Sequence, residues 1–428
     1  MTDERAALHA VPAPHVVIVG AGVVGAATAI WLQRSGARVT LIDREGPAAG
    51  ASWGNAGVLA AASVAPVTVP GLLAKAPAML LDPMKPLFLR WSYLPRLLPF
   101  LRAYLSHADD EKVERISIAL TELLGDAAEQ HLALAAETGA ERFVKPGDYL
   151  FGYASRAAFK ADAYAWRLRA RRGFAFEELD AEALAAFDPA LDGRLGYAVR
   201  CPGHGMISDP GAYVQALHAH VVASGGAALT ATVTDIRVEN GRATGVVADG
   251  ALVEADDVVL TSGAWSGSFA KTLGVRMPLE TERGYHIEFH NPSIRLRAPV
   301  MVAAGKFVAT PMEGRLRCAG VVEFGGLAAP PRDAPFRMIE KHARALFPDL
   351  KFDEMTRWMG HRPATADSLP VIGRAPAAAN VWLGYGHQHV GMTAGPKTGR
   401  WLARMILGDR PNIDMRPFAP DRPARMKP

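Results

Sequence analysis

The strongest constraint on this chain lies within its first fifty residues. His15-Val16-Val17-Ile18-Val19-Gly20 is a short β-branched run ending on glycine, the pattern of a strand buried in a parallel sheet. Gly20-Ala21-Gly22-Val23-Val24-Gly25 follows; a helix is expected to about Arg34, stopped at Gly36, and Val39-Thr40-Leu41-Ile42 reads as the next strand. Each glycine has its own reason. Gly20 allows the tight turn, Gly22 lets the backbone approach a pyrophosphate, and Gly25 lets the helix pack close to the strand. The helix N-terminus, where Val23 and Val24 lie, attracts the anion. Asp43 ends the second strand at the roughly twenty-residue distance expected of a ribose-binding acid, and Arg44 is assigned to the same site. A glycine triplet alone is weak; strand, turn, helix, strand and acid in this order predict a bound dinucleotide.

At 428 residues, half of them hydrophobic and 21% charged, the chain is long enough for two or three lobes with substantial cores. Its formal net charge of +4 is too small and dispersed to argue for nucleic acid, though it favours anionic substrates mildly. Two cysteines, Cys201 and Cys318, stand far apart without metal-ligand spacing, so neither a metal site nor a disulfide framework is expected. The polar start, Met1 to Pro14, has no apolar signal core, and no run of about twenty apolar residues occurs, so a cytoplasmic chain is expected. Residues 71–105, rich in Leu, Pro and Met with scattered Lys and Arg, read as a buried helix pair over the cofactor domain. The alternative is a peripheral membrane contact, at the inner face of the plasma membrane.

Further along, 108–138 and 157–190 read as helices, and Asp209-Pro210 as a capped helix start. Residues 228–254 form a strand meander turned at Asn240-Gly241 and Asp249-Gly250. Val258-Val259-Leu260 is a buried strand leading into Thr261 to Trp265. Alternation over 277–326 predicts an antiparallel sheet, and a last strand near 381 precedes a helix to Leu407. The expected architecture is α/β: a Rossmann-like cofactor domain in three pieces (14–65, 196–270 and 356–410) interleaved with an α+β substrate domain (66–195 and 271–355), then a tail at 411–428.

The glycine motif does not separate NAD from FAD. Three features favour FAD: the meander feeding Thr261 to Trp265, the polar loop Ser52-Trp53-Gly54-Asn55-Ala56-Gly57, and the block Gly384 to Thr393. These blocks resemble the D-amino-acid oxidase and dehydrogenase superfamily of FAD-dependent enzymes, which includes glycine and sarcosine oxidases. The resemblance is tightest at 15–60, 203–215, 258–286 and 357–400. It is nearest to bacterial D-amino-acid dehydrogenases, including those acting on D-proline or hydroxyproline, through Glu282-Arg283-Gly284-Tyr285-His286 and Trp358-Met359-Gly360-His361-Arg362-Pro363.

That resemblance implies hydride transfer from the substrate's α-carbon, with electrons passed to a quinone or other non-oxygen acceptor. The alternatives are a glycine- or sarcosine-type amine oxidase using oxygen, or a flavoprotein subunit of a multi-subunit amino-acid dehydrogenase complex. It makes Arg362 the carboxylate-binding residue, a role suited to a planar guanidinium that can donate two parallel hydrogen bonds. Tyr285 is implied as a substrate contact and His389 as a second polar contact. On a regular strand only one of Tyr285 and His286 can face the cavity, and Tyr285 is expected to be that one. FAD would be lined by Ser52, Asn55, Ala56, Gly57, Val233, Gly263, Trp265 and Arg362, with His387 ordering the loop and Val390, Gly391, Met392 and Thr393 opening the helix beneath the flavin. No histidine or cysteine stands in the 52–57 loop, so FAD is expected to be noncovalent. His204, Lys306 and Glu323 are weaker candidates. No catalytic base is evident in the sequence.

Overall fold

The computed structural model describes residues 13–71 and 86–424. Residues 72–85 of the 71–105 stretch lie outside them. The chain opens with β1 (His15–Val19), α1 (Val23–Arg34) and β2 (Arg38–Asp43), the expected βαβ unit. After β3 (Leu87–Leu89) come α2 (Leu94–Leu105), α3 (Asp110–Leu124), α4 (Ala127–Ala135) and β4 (Val144–Tyr153). Where helices alone are expected over 157–190, a strand β5 (Glu177–Asp180) intervenes, pairing at the edge of a sheet. Next are β6 (Tyr197–Ile207), α5 (Pro210–Ala223), β7 (Ala227–Thr230), β8 (Val233–Glu239), β9 (Arg242–Ala248), β10 (Ala251–Glu254) and β11 (Asp257–Leu260). β12 (Leu279–His290), β13 (Val300–Val302), β14 (Phe307–Met312), β15 (Arg315–Phe324) and α6 (Asp333–Leu346) follow. β16 (Met355–Thr365), β17 (Val371–Arg374), β18 (Val381–Tyr385) and α7 (Gly391–Ile406) end the chain's regular structure.

Two large sheets organise these elements. The first has the order β17-β18-β11-β1-β2-β7, parallel except for β17. Its central parallel strands are buried on both sides, as β-branched runs such as Val16 to Val19 require, while β7 at the edge is exposed. β8 to β10 form the separate antiparallel meander, with Asn240 and Asp249 at φ 49 and 46 in the two turns, a left-handed conformation these residues tolerate.

The second sheet has the order β16-β12-β15-β14-β13-β4-β6-β5, with β3 beside β15. It is mainly antiparallel, but β4 pairs with β13 and β3 with β15 in parallel. Both partners are joined by long excursions, so no hairpin imposes the antiparallel direction. β6 and β16 also belong to this sheet, although they fall within segments expected to form the cofactor domain. Conversely α3 and α4, expected in the substrate domain, pack Ile116, Leu120, Leu123 and Leu134 into the core around α1.

α1 and α7 cross closely because α7 has no side chain at the contact. A Cβ on Gly399 would lie 2.6 Å from the Thr28 nitrogen. Because α1 follows β1 and α7 follows β18 in the same parallel sheet, both helix N-termini lie at the carboxyl ends of those strands. The tail expected at 411–428 is docked in its described part, Phe418 being 1% exposed against Trp401.

Candidate active site

A cavity of about 1490 Å³ runs from the Gly20 turn, between the two sheets, to the start of α7. The glycine turn behaves as its spacing predicts. Gly20 has φ +110, and a Cβ there would fall 2.6 Å from the Thr261 carbonyl oxygen. A Cβ on Gly25 would fall 1.9 Å from the Gly20 carbonyl oxygen, so Gly25 sets the strand-to-helix distance and does not itself border the cavity. Gly20, Gly22, Val23 and Val24 do border it. The Ala21 N–H donates to the Asp43 carboxylate at 2.9 Å, and the Val23 N–H to the Ser52 hydroxyl at 3.1 Å. Asp43 therefore also holds the turn in shape, leaving its remaining lone pairs for a ligand.

Beyond Asp43, Arg44 stacks over the Trp265 ring at 4.0 Å, and with Val233 and Gly263 these residues form the next part of the wall. Opposite lies the 52–57 loop, whose carbonyls are held by the second sheet: Thr310 donates to Ala56 at 2.8 Å and Arg317 to Trp53 at 3.2 Å and to Asn55. Ser52, Asn55 and Ala56 border the cavity. Gly57 does not. Its φ is +73 and a Cβ would strike the Ile207 carbonyl at 2.6 Å, so it serves the join between lobes instead.

At the far end Val390, Gly391, Met392 and Thr393 present the N-terminus of α7, and the Thr393 hydroxyl donates to the Val58 carbonyl while accepting from the Ala60 N–H. His387 bonds Thr398 at 3.0 Å, which orders this loop. Beneath it His131 bridges the Tyr213 hydroxyl and the Met392 carbonyl. Two helix N-termini thus face one cavity with close backbone approach, and the residues present fit a dinucleotide with an anionic centre and a second polar end.

The wall expected to meet substrate is built by β12 and β16. Their register sets Glu282 opposite Arg362, Gly284 opposite Gly360 and His286 opposite Trp358. The two glycines are covered by flat groups from their neighbours. A Cβ on Gly284 would fall 2.5 Å from Arg362 Cζ, and one on Gly360 1.9 Å from the Trp358 ring. Arg362 donates to the Val321 carbonyl at 2.8 Å and the Gly320 carbonyl at 3.3 Å, leaving its other N–H groups for a ligand. Burial lowers its pKa, with Glu282 opposing.

Tyr285 meets the expectation of position, and its side chain also engages partners within the protein. It borders the cavity, but its ring packs edge-on against Phe336 of α6 and its hydroxyl donates to Glu323 on the opposite face of β12. Glu323 is fully buried there and also pairs with Arg283 at 3.1 Å. Strand alternation holds, with Glu282, Gly284 and His286 on the other face. His286, by contrast, does not border the cavity: it stacks on Trp358 at 5.1 Å and bonds the Gly54 carbonyl at 3.1 Å, shut off behind the indole. Burial, aided by Arg317, drops its pKa to about 3.

His389 opens onto the cavity with its side chain exposed there, and the protein packed around it, with Arg362 adding, drops its pKa to about 4. It is neutral at pH 7 and offers one N–H. His204 is structural, bonded to Pro202 and Ala62. Lys306 borders the cavity.

Sequence reasoning missed Glu282, Trp358 and Tyr104. Glu282 could have been noticed as a charge two residues before Gly284 on the same face of an apolar strand. Tyr104 follows Leu97 and Leu101 at helical spacing on α2, whose apolar face roofs the cavity; of the helix pair expected over 71–105 the described residues show this helix, with Leu87–Leu89 a strand instead. Trp91 and Leu98 stay exposed on that segment. No helix among the described residues is long and apolar enough to cross a membrane.

Residues 15–405 match the family described as FAD dependent oxidoreductase, DAO. A D-amino-acid oxidase of Bradyrhizobium diazoefficiens is 39% identical over 415 residues, covering 95% of this chain and 98% of its own. A D-amino acid dehydrogenase of Rhizobium johnstonii is 30% identical over 415 residues, covering 94% and 98%. Among solved structures, glycine oxidase from Geobacillus kaustophilus superposes with a TM-score of 0.73 at 21% identity over 96% of this chain and 99% of that one. Iminodiacetate oxidase from Chelativorans sp. BNC1 gives 0.70 at 23% identity over 95% and 99%. The two structures speak for the fold, and the family match and the curated relatives speak for the chemistry of the glycine turn and the paired helix ends. The chain belongs to the DAO family of FAD-dependent oxidoreductases, and FAD is the cofactor its cavity is built around.

Proposed function

We propose that this enzyme oxidises a D-amino acid, or a cyclic D-imino acid such as D-proline or hydroxyproline, by loss of hydride from the α-carbon. The observation that carries this reading is Arg362, a guanidinium held from behind by two backbone carbonyls on the wall of the cofactor cavity, in a chain 39% identical to a D-amino-acid oxidase.

FAD, when bound, would supply the acceptor for the hydride with its two electrons. The remaining work belongs to the chain. Arg362 binds the carboxylate and so orients the α-carbon, the contribution from which most of the protein's rate advantage would come. Neutral His389 offers a further N–H, and Trp358, backed by His286, shapes the wall. α2 keeps water out. The amine must be neutral for hydride loss, and the imine product then hydrolyses to a 2-oxo acid and ammonia, or stays cyclic. That neither Cys201 nor Cys318 borders the cavity supports noncovalent FAD.

For the acceptor we propose a quinone or another group than oxygen; the name of the 39% identical relative favours oxygen as the second reading. Anaerobic bleaching of the flavin by D-amino acids, D-proline, hydroxyprolines, glycine and sarcosine, with L-enantiomers as controls, tests the substrate class. Bleaching by D-amino acids or D-proline is expected; bleaching by none of them would defeat the proposal. Re-oxidation of the bleached enzyme by air or only by a quinone or dye decides the acceptor.

A further inference from the structure

Glu282 has no part in the reading above, yet its position needs an explanation. It is 2% exposed, borders the cavity, and makes no hydrogen bond or ion pair with any described residue. A carboxyl group held out of water without a partner is costly unless a ligand completes it.

The groups around it define that ligand. Arg362 stands directly opposite on β16, and directly opposed residues have Cβ atoms about 4.5–5.5 Å apart. Tyr104 faces it from α2, its own pKa raised by burial and by the Glu282 charge. On the other flank β15 offers only Phe324. Glu280, on the same strand, is already engaged by the Tyr93 hydroxyl at 3.0 Å and the Thr281 N–H at 2.7 Å. Arg283, on the opposite face, is paired with Glu323. One wall of the cavity therefore carries a guanidinium and a free carboxyl group side by side. An amino acid carries the complementary pair, a carboxylate and an ammonium on one carbon. A basic side chain would reach several bonds further than this spacing allows.

Resting on the function proposed above, we propose that Glu282 receives the substrate's α-ammonium and takes its proton before the Cα–H bond breaks. An N–H bond of the ammonium breaks and an O–H bond forms on Glu282, leaving a neutral amine whose lone pair supports hydride loss and becomes part of the C=N bond. Burial raises the Glu282 carboxyl to about 7, with Arg362 opposing and Glu280 adding, so the group exchanges a proton near neutrality. It would accept the proton above that pH and be already protonated below it.

The test uses the FAD-loaded enzyme and Glu282→Gln, with anaerobic flavin reduction by the best D-amino acid followed from about pH 6 to about pH 10. In the unaltered enzyme kcat/KM should rise through about pH 7 and then level. In the variant the rise should move up by about one pH unit or more, with a loss of about tenfold or more near neutrality that narrows where the amine loses its proton unaided. Isobutyrate, a carboxylate without an amine, should bind the variant as tightly as the parent or more tightly, read from the flavin spectrum. Glu282→Asp should keep the rise near pH 7 at a reduced rate. Parallel pH profiles, equal weakening of isobutyrate, or a loss confined to D-lysine and D-arginine would each overturn the assignment. Absence of flavin reduction in the unaltered enzyme would instead overturn the proposed function on which it rests.

Discussion

The Arg362 guanidinium occupies the space a side chain on Gly284 would need, since a Cβ built there falls 2.5 Å from Cζ. The neighbouring pair repeats the arrangement: Trp358 lies over Gly360, and a Cβ on Gly54 would strike the same indole at 2.0 Å. Three glycines on three separate segments thus leave room for the two flat groups that form the proposed substrate wall. Any side chain at these positions must displace one of them.

Gly284→Ala should therefore act on catalysis through Arg362. We expect kcat/KM to fall by about tenfold or more with FAD still bound, because losing a charge-assisted contact costs about 1.5–3 kcal/mol. Arg362→Met should do at least as much. Steady-state kinetics with the flavin content measured alongside provides the check; an unchanged kcat/KM in Arg362→Met would remove the carboxylate assignment.

Tyr285→Phe should behave differently. The hydroxyl is already engaged by buried Glu323, so kcat/KM should stay within about threefold. Stability should fall by about 1–2 kcal/mol through the lost hydrogen bond, while Arg283 still pairs with Glu323. Urea unfolding beside kinetics separates the two effects. A large loss of kcat/KM with unchanged stability would return Tyr285 to the substrate.

Arg422 fastens the tail to the cofactor lobe. It donates to Asp367 at 2.7 and 3.1 Å and to the Leu369 and Phe418 carbonyls, with both charged groups buried. Arg422→Ala leaves Asp367 buried and unpaired, a loss expected to cost about 3–5 kcal/mol. The double variant Arg422→Leu, Asp367→Leu should recover part of it. Thermal unfolding of the three proteins, at equal FAD saturation, measures both effects.

Acid should destabilise the enzyme earlier than its carboxylates alone would require. Burial lowers His131 from 6.5 to about 4, the Met392 carbonyl partly opposing, and lowers His286 to about 3. Between those values and 6.5 the unfolded chain binds more protons than the folded one, so stability is full above 6.5 and falls as pH drops below it. His131 alone would contribute about 3 kcal/mol over the full range. Unfolding free energies from about pH 7.5 to about pH 5 should show this slope, and His131→Gln should reduce it by the His131 share while that of His286 remains.

The parts legible in the sequence are those whose cause is local. The strand, glycines, helix and Asp43 lie within thirty consecutive residues, and the structure places Gly20 at φ +110 and Gly25 against the Gly20 carbonyl as that spacing requires. The Asn240-Gly241 and Asp249-Gly250 turns, and the Asp209 cap on the Ala212 N–H, are local for the same reason. Alternation along β12 likewise separates Tyr285 from His286. It does not say which of the two faces meets the cavity, because a period of two fixes relative sides only. That choice comes from pairing with β16, about seventy residues away, and from α6 covering the opposite face. The same pairing draws β16 into the second sheet and sets Glu282 beside Arg362. The glycine turn was thus determined by its own residues, whereas the wall of Glu282, Arg362 and Trp358 exists only where two distant strands and a loop close on one another.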